Sequence, residues 1–253
     1  MIYVTGDCHG DFRRFSTDIF PEQKGMTKED YVIVCGDFGL WHDTKEERYW
    51  LDWLNDKPFT TLFTDGNHEN FDRLYSDEFE TADFHGGKVQ KIRDSILHLK
   101  RGYMFELWGK KIFAFGGASS HDIQDGILDR RNFSSDRQFV EAVKKWRKQG
   151  KQFRINHISW WKEELPSEDE MEFGTKTLQA CSNKVDFIVT HCCPQQIASL
   201  FSHGIYKSDV LTRYFNVIAE TTEYTRWFFG HYHNNYSMMG KFIMLYEQII
   251  RCT

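Results

Sequence analysis

No apolar stretch in this 253-residue sequence approaches the length of a membrane span, so nothing in it reads as a transmembrane helix. It has no internal repeat, no low-complexity tract and no linker rich in Pro, Gly or Ser. With no seam to divide it, residues 1–253 are expected to form one domain, an ordinary size for a single α/β unit. The six cysteines, Cys8, Cys35, Cys181, Cys192, Cys193 and Cys252, include no Cys-x-x-Cys pair. That removes the usual structural zinc clip and fits reduced thiols in a cytoplasm. Basic charge is not in excess either: a formal charge of -5 gives no global attraction to nucleic acid and leaves only a local basic patch as a route to it. A secretory signal needs a positive start and an apolar run, whereas here an acidic and imidazole cluster begins within ten residues, so no targeting segment is expected. What the sequence does have is 40% hydrophobic and 16% aromatic residues, enough for a packed core.

Apolar, β-branched stretches recur, and each breaks off into polar residues. "IYVT" runs into "GDCHG", "YVIVC" into "GDFG", "TLFTD" into "GNHEN", "VDFIVT" into "HCCP" and "RWFF" into "GHYH". Helices are predicted after Thr44, with Glu47 three residues on, and after Ser167, with Glu170; both have the spacing of a capping box. "ILHLKRGYMFELWGKKIFAFGG" reads as antiparallel hairpin structure with breaks at Gly102 and Gly109, and "MMGKFIMLYEQII" reads similarly. The whole predicts a layered α/β sandwich, sheets inside and helices outside.

Loops at the carboxyl ends of strands converge on the ligand crevice of an open α/β sheet, and every polar cluster sits at such an end. Together they contribute Asp7, His9, Asp37, Asn67, His68, His191, His231 and His233. This mixture of carboxylate, amide and imidazole suits first-row transition metals; a purely carboxylate set would suggest magnesium or calcium. Taken singly, each residue has a plainer explanation: Asp7 and Asp37 as caps or turn residues, Asn67 as a turn residue, His191 as a hydrogen-bonded core group. Cys192 and Cys193 read as packing residues.

The ordered set Gly6-Asp7-Cys8-His9, Gly36-Asp37, Gly66-Asn67-His68, His191 and Gly230-His231-Tyr232-His233 resembles the signature of the calcineurin-like metallophosphoesterases. The resemblance implies that fold, two mixed β-sheets flanked by helices, and a site for two metal ions. Asp7, His9 and His233 would hold one ion, Asn67, His191 and His231 the other, and Asp37 would bridge them. It also implies hydrolysis of a phosphoester by a metal-bridging hydroxide, with His68 contacting phosphate and protonating the leaving group. Manganese, iron and zinc all suit the ligands. A phosphorylated small molecule or nucleotide is the expected substrate, and a monoester is favoured. A phosphodiesterase or nuclease would use the same metal core. From another class comes a noncatalytic metal- or nucleotide-binding regulator.

The sequence departs from the serine/threonine phosphatase relatives at "GDFGLWH", where Leu40 stands at the position of an acid and Trp41 at that of an arginine. Glu69, Asp65 and Asp43 are candidate replacements for the acid that orients His68. "GGASSHD", "SWWKEELPSEDE" and "VTHCCP" resemble a bacterial and phage-associated branch of the family. Residues 118–180 are the candidate substrate-facing insert, with His121, Asp122, Arg130, Arg131, Trp160 and Trp161 as lid candidates. The two tryptophans read more readily as packing, and "EAVKKWRKQGKQFR" more readily as a solvated helix face than as a phosphate-binding patch.

Overall fold

The computed structural model describes residues 1–39 and 42–252. Leu40 and Trp41 lie outside the described residues. Strands β1 (Ile2–Thr5), β2 (Tyr31–Val34), β3 (Thr60–Phe63), β4 (Thr81–Phe84), β5 (Gly87–Arg93) and β6 (Ile96–Leu99) build the first sheet. Strands β7 (Tyr103–Leu107) and β8 (Lys110–Phe115) begin the second, β9 (Gly126–Leu128) and β10 (Phe153–Ile155) pair alone, and β11 (Phe187–Thr190), β12 (Arg226–Phe229), β13 (Tyr236–Met238) and β14 (Phe242–Met244) complete the second. β15 (Ile249–Arg251) then returns to the first. The strand orders are β15-β1-β2-β3-β6-β5-β4 and β13-β14-β12-β11-β8-β7. β1, β2, β3 and β6 run parallel, as do β8, β11, β12 and β14, with antiparallel strands at the edges.

The central strands are nearly continuous apolar runs because both of their faces are covered. Ile2, Val4, Ile33, Leu62 and Leu97 of the first sheet meet Phe105, Ile112, Ala114, Val189 and Phe228 of the second in the layer between them. The alternate residues, Tyr3, Val32, Val34 and Phe63, face outward under α1 (Lys45–Asn55), which buries Leu51 and Leu54 there. The chain then passes through the single turn α2 (Phe71–Leu74) and, later, α3 (Asp136–Lys148). On the far side Phe113, Phe115 and Trp227 face outward under α4 (Glu168–Ala180), α5 (Gln195–Ser202) and α6 (Val210–Thr221), through Leu178, Ile197, Leu211 and Phe215. Thr44 caps α1 by accepting from the Glu47 N–H, and Ser167 with Glu170 forms a complete capping box on α4.

The expected hairpin before Gly116 holds only for its second half. β7 and β8 pair across Trp108 and Gly109, both with positive φ, the geometry of a tight two-residue turn. β6 instead pairs with β3 and β5, and Gly102, at φ +79, marks the crossing from one sheet to the other. Apolar periodicity is the same on either side of that crossing, so nothing local separates a hairpin from a change of sheet. The tail behaves alike: β13 and β14 form a hairpin, but β15 leaves to pair antiparallel with β1.

Candidate metal centre

The parallel arrangement brings five strand ends to one edge of the sandwich. Asp7 and His9 follow β1, Asp37 follows β2, Asn67 and His68 follow β3, His191 follows β11, and His231 and His233 follow β12. His9, Asp37, His231 and His233 all have positive φ, at 49, 45, 68 and 48 degrees, conformations that non-glycine residues hold only where surrounding contacts impose them. Those contacts are visible. The Cys8 and His9 N–H groups both donate to the Asp37 carbonyl, at 3.0 and 2.7 Å, and the His68 N–H donates to Asp37 Oδ1 at 2.8 Å. The His231 N–H donates to Asp7 Oδ1 at 2.9 Å. Two glycines make the approach feasible: a Cβ on Gly66 would sit 2.1 Å from Asp37 Oδ1, and one on Gly230 2.0 Å from Asp7 Oδ1.

The result is a concentration of acceptor atoms. Ligand atoms of Asp7, His9, Asp37 and His233 lie within 4.8 Å of one another, a grouping able to hold a metal ion. His9 Nε2 and His233 Nε2 are 3.1 Å apart, and His233 Nε2 is 3.1 Å from Asp7 Oδ2. Next to this group, His191 is fully buried and donates from Nδ1 to the Cys35 carbonyl at 2.7 Å. Its Nε2 therefore faces Asn67 Oδ1 and Asp37 Oδ1, both at 3.3 Å. Such a ring nitrogen between two oxygens calls for a cation, and without a metal a proton serves. Burial pulls the His191 pKa down, but the Asp37 charge and hydrogen bond outweigh it and raise the value to about 10. The same pair holds Asp37 well below the usual carboxylate range against the effect of burial. The donor set thus fits transition-metal ions: imidazoles, that of His191 fixed by an outer hydrogen bond, an amide oxygen and two buried carboxylates.

The outer contacts of Asn67 extend this pattern. Its Nδ2 donates to Ser120 Oγ at 3.3 Å, Ser120 Oγ donates to Glu164 Oε2 at 2.6 Å, and the Ser120 N–H donates to Glu164 Oε1 at 2.9 Å. Burial raises the Glu164 pKa to about 7, with the Ser120 hydrogen bonds opposing it. Behind His191, Trp227 Nε1 donates to Thr190 Oγ1 at 2.8 Å, and Thr190 Oγ1 donates to the Cys192 carbonyl at 2.6 Å, fixing the loop. Cys192 and Cys193 are buried, and burial pushes the Cys193 thiol up to about 12.

A cavity of about 360 Å³ opens over these groups. Its other wall contains His121, Asp122 and Arg154. His121 Nε2 lies 2.6 Å from His231 Nε2. Arg154 closes the stretch "EAVKKWRKQGKQFR", which reads more readily as a solvated helix face, and sequence reasoning did not single it out. It leaves the middle of β10 between Phe153 and Ile155, which face the small core around Leu128 and Phe139. Its Nε donates to Asp122 Oδ1 at 2.6 Å and its Nη1 to the Ser159 carbonyl at 3.0 Å, while its Nη2 donates to His68 Nε2 at 2.9 Å. Guanidinium only donates, so His68 Nε2 is the acceptor. Burial lowers the His68 pKa to about 4, with Asp37 opposing and Arg154 reinforcing the shift. The detectable signal was an arginine flanked by apolar residues on a short strand; the basic helix preceding it hid that pattern.

Of the lid candidates, only His121 and Asp122 line this cavity. Trp161 is 1% exposed in the core under the first sheet. Arg130 is paired with Asp136 and Arg131 with Asp129. The candidate acids near His68 are also engaged: Asp65 with Arg101 and His98, Glu69 with the Phe38 and Gly39 N–H groups, Asp43 with Arg48 and Arg73.

No curated protein matches this sequence. The family model for the calcineurin-like phosphoesterases matches residues 1–235, a span that takes in all five strand ends around the cavity, and the chain belongs to that family.

Proposed function

We propose that the chain hydrolyses phosphomonoesters of small molecules or nucleotides at a dinuclear centre. Asp7, His9 and His233 would hold one ion, Asn67, His191 and His231 the second, and Asp37 both. The observation that carries this reading is the arrangement at His191, whose Nε2 faces two oxygens at 3.3 Å in a fully buried position. Bound there, two manganese, iron or zinc ions would supply Lewis acidity and a readily deprotonated water for attack on phosphorus. The protein's own part is to hold the phosphoryl group. Arg154, fixed by Asp122 and Ser159, aims Nη2 into the cavity. A phosphoryl oxygen entering between Arg154 and His68 takes a charge-assisted bond from the first and frees the second to carry a proton toward the leaving group. A monoester dianion gains more than a diester monoanion from this concentration of positive charge.

Residues 118–180 are part of this reading as the substrate-facing insert of one domain, since His121, Asp122 and Arg154 come from them. A cytoplasmic setting is supported by the six cysteines, all free. No helix among the described residues is long and apolar enough to cross a membrane.

The test is metal-stripped protein reconstituted with manganese, iron or zinc. Two ions per chain and faster hydrolysis of 4-nitrophenyl phosphate than of its bis-ester are expected. His68→Ala should slow an alkyl phosphate by roughly 10²–10⁴ and a nitrophenyl ester much less, because nitrophenolate leaves without a proton. Two tightly bound ions with no turnover on any phosphoester would point to the noncatalytic regulator instead.

A further inference from the structure

The metal cavity is lined by polar groups, His68, Asp122 and Arg154 among them, and by two phenol rings, Tyr206 and Tyr232. Those two tyrosines also line a second cavity of about 300 Å³. The rings form an unbroken series away from the centre. His121 lies 4.6 Å from Tyr206, Tyr206 lies 4.9 Å from Tyr232, and Tyr232 lies 4.8 Å from Phe201, all between centroids. Beyond them, Phe201, Asn234 and Tyr236 lead from the second cavity into a third of about 510 Å³. The rim is strongly apolar for a surface: Ile205 is 78% exposed and Met239 74%, with Leu200 and Tyr236 also exposed.

Exposed apolar side chains gathered around a concavity mark a binding surface, and this one shares walls with the phosphoryl cavity. We propose that it is the leaving-group subsite, and that the substrate is a phosphoester of a flat aromatic or heteroaromatic group. The ring lies among Tyr206, Tyr232, Phe201 and Tyr236, and the Asn234 amide on the rim meets its polar edge. Four of the eight residues lining the second cavity are aromatic, and their rings suit another ring by offset or edge contact. The shared tyrosines favour a substrate group over a separate protein partner, because whatever fills the second cavity touches the walls of the first. The inference rests on the phosphoesterase reading for its phosphoryl end.

Two phosphonates that resist hydrolysis test it by calorimetry on the manganese-loaded protein. Benzylphosphonate should bind roughly tenfold tighter than methylphosphonate, the gain expected from covering one ring face. Ile205→Ser and Tyr236→Ser, both surface changes, should each bring that ratio below about threefold, with metal content measured alongside. Equal affinities in the parent protein, or a ratio that both variants preserve, would overturn the subsite, as would failure of benzylphosphonate to bind. A dimer that Ile205→Ser dissociates, with no preference between the phosphonates, would identify the patch as a self-association surface and also overturn it. Parallel turnover assays separate the two readings. Benzyl preference without hydrolysis of any ester leaves the subsite standing and removes the phosphoesterase, and hydrolysis without preference does the reverse.

Discussion

Two walls face each other across the cavity, and they are built by different means. One is made of strand ends: buried carboxylates and imidazoles follow β1, β2, β3, β11 and β12, and each backbone is locked by neighbouring loops. The opposite wall takes Arg154 from a two-stranded ladder with its own small core of Leu128, Phe139 and Ile155, and His121 and Asp122 from the connection leading into it. The first depends on the register of two large sheets, the second on a few side-chain contacts such as Arg154 to Asp122. A centre that needs donor atoms fixed to fractions of an ångström belongs on the first, and substrate choice can vary on the second without disturbing it.

The largest break in that comparison comes from the strand-end wall. Asp37→Asn should weaken both metal sites and lower turnover by more than the roughly 10–100-fold typical of outer-contact mutations. Gly66→Ala should do nearly as much without removing any donor atom, since its Cβ would meet Asp37 Oδ1 at 2.1 Å. Metal analysis and rate should fall together in both variants. Full occupancy with a near-normal rate would remove Asp37 from the centre.

The two walls also differ in how legible they were. Each strand-end residue follows an apolar run and a turn, so its position was local information. Arg154 was hidden because its neighbours in sequence, "KKWRKQGK", are basic for an unrelated reason: α3 ends there, with Lys145, Arg147 and Lys148 in its last turn. The Glu164 to Ser120 contact joins residues 44 apart in sequence, and no periodicity announces it. Trp161 reads more readily as packing than as a lid, and its place in the core under the first sheet bears that out.

On the opposite wall the expected effect is smaller and concentrated in binding. Arg154→Ala should raise KM for a monoester by roughly 10–100-fold, the range of a lost hydrogen bond to a charged group, with metal content intact. Arg154→Lys should recover only part, because a point charge cannot hold Asp122, Ser159 and phosphate at once. Loss of metal in Arg154→Ala would mean that the two walls are not independent.

The smallest effect is expected where the walls join. Glu164, from the far side, holds Ser120, and Ser120 holds the Asn67 amide so that Oδ1 turns toward His191. Glu164→Gln keeps the shape, but its amide Nε2 donates to Ser120 Oγ where the carboxylate accepted. Ser120 then has one lone pair fewer for Asn67. Metal affinity should fall about tenfold, the low end for an outer contact. The same substitution has a pH signature in the metal-free protein. Glu164 has a folded pKa of about 7 against an ordinary 4.5, so the folded state binds the proton more tightly. Stability from this group is therefore full below about pH 4.5 and declines as pH rises to about 7, by a total on the order of 3 kcal/mol. Glu164→Gln removes that slope. Melting temperatures from pH 5 to about 8 should converge toward a flatter profile in the variant. An unchanged slope together with unchanged metal affinity would leave Glu164 as packing alone.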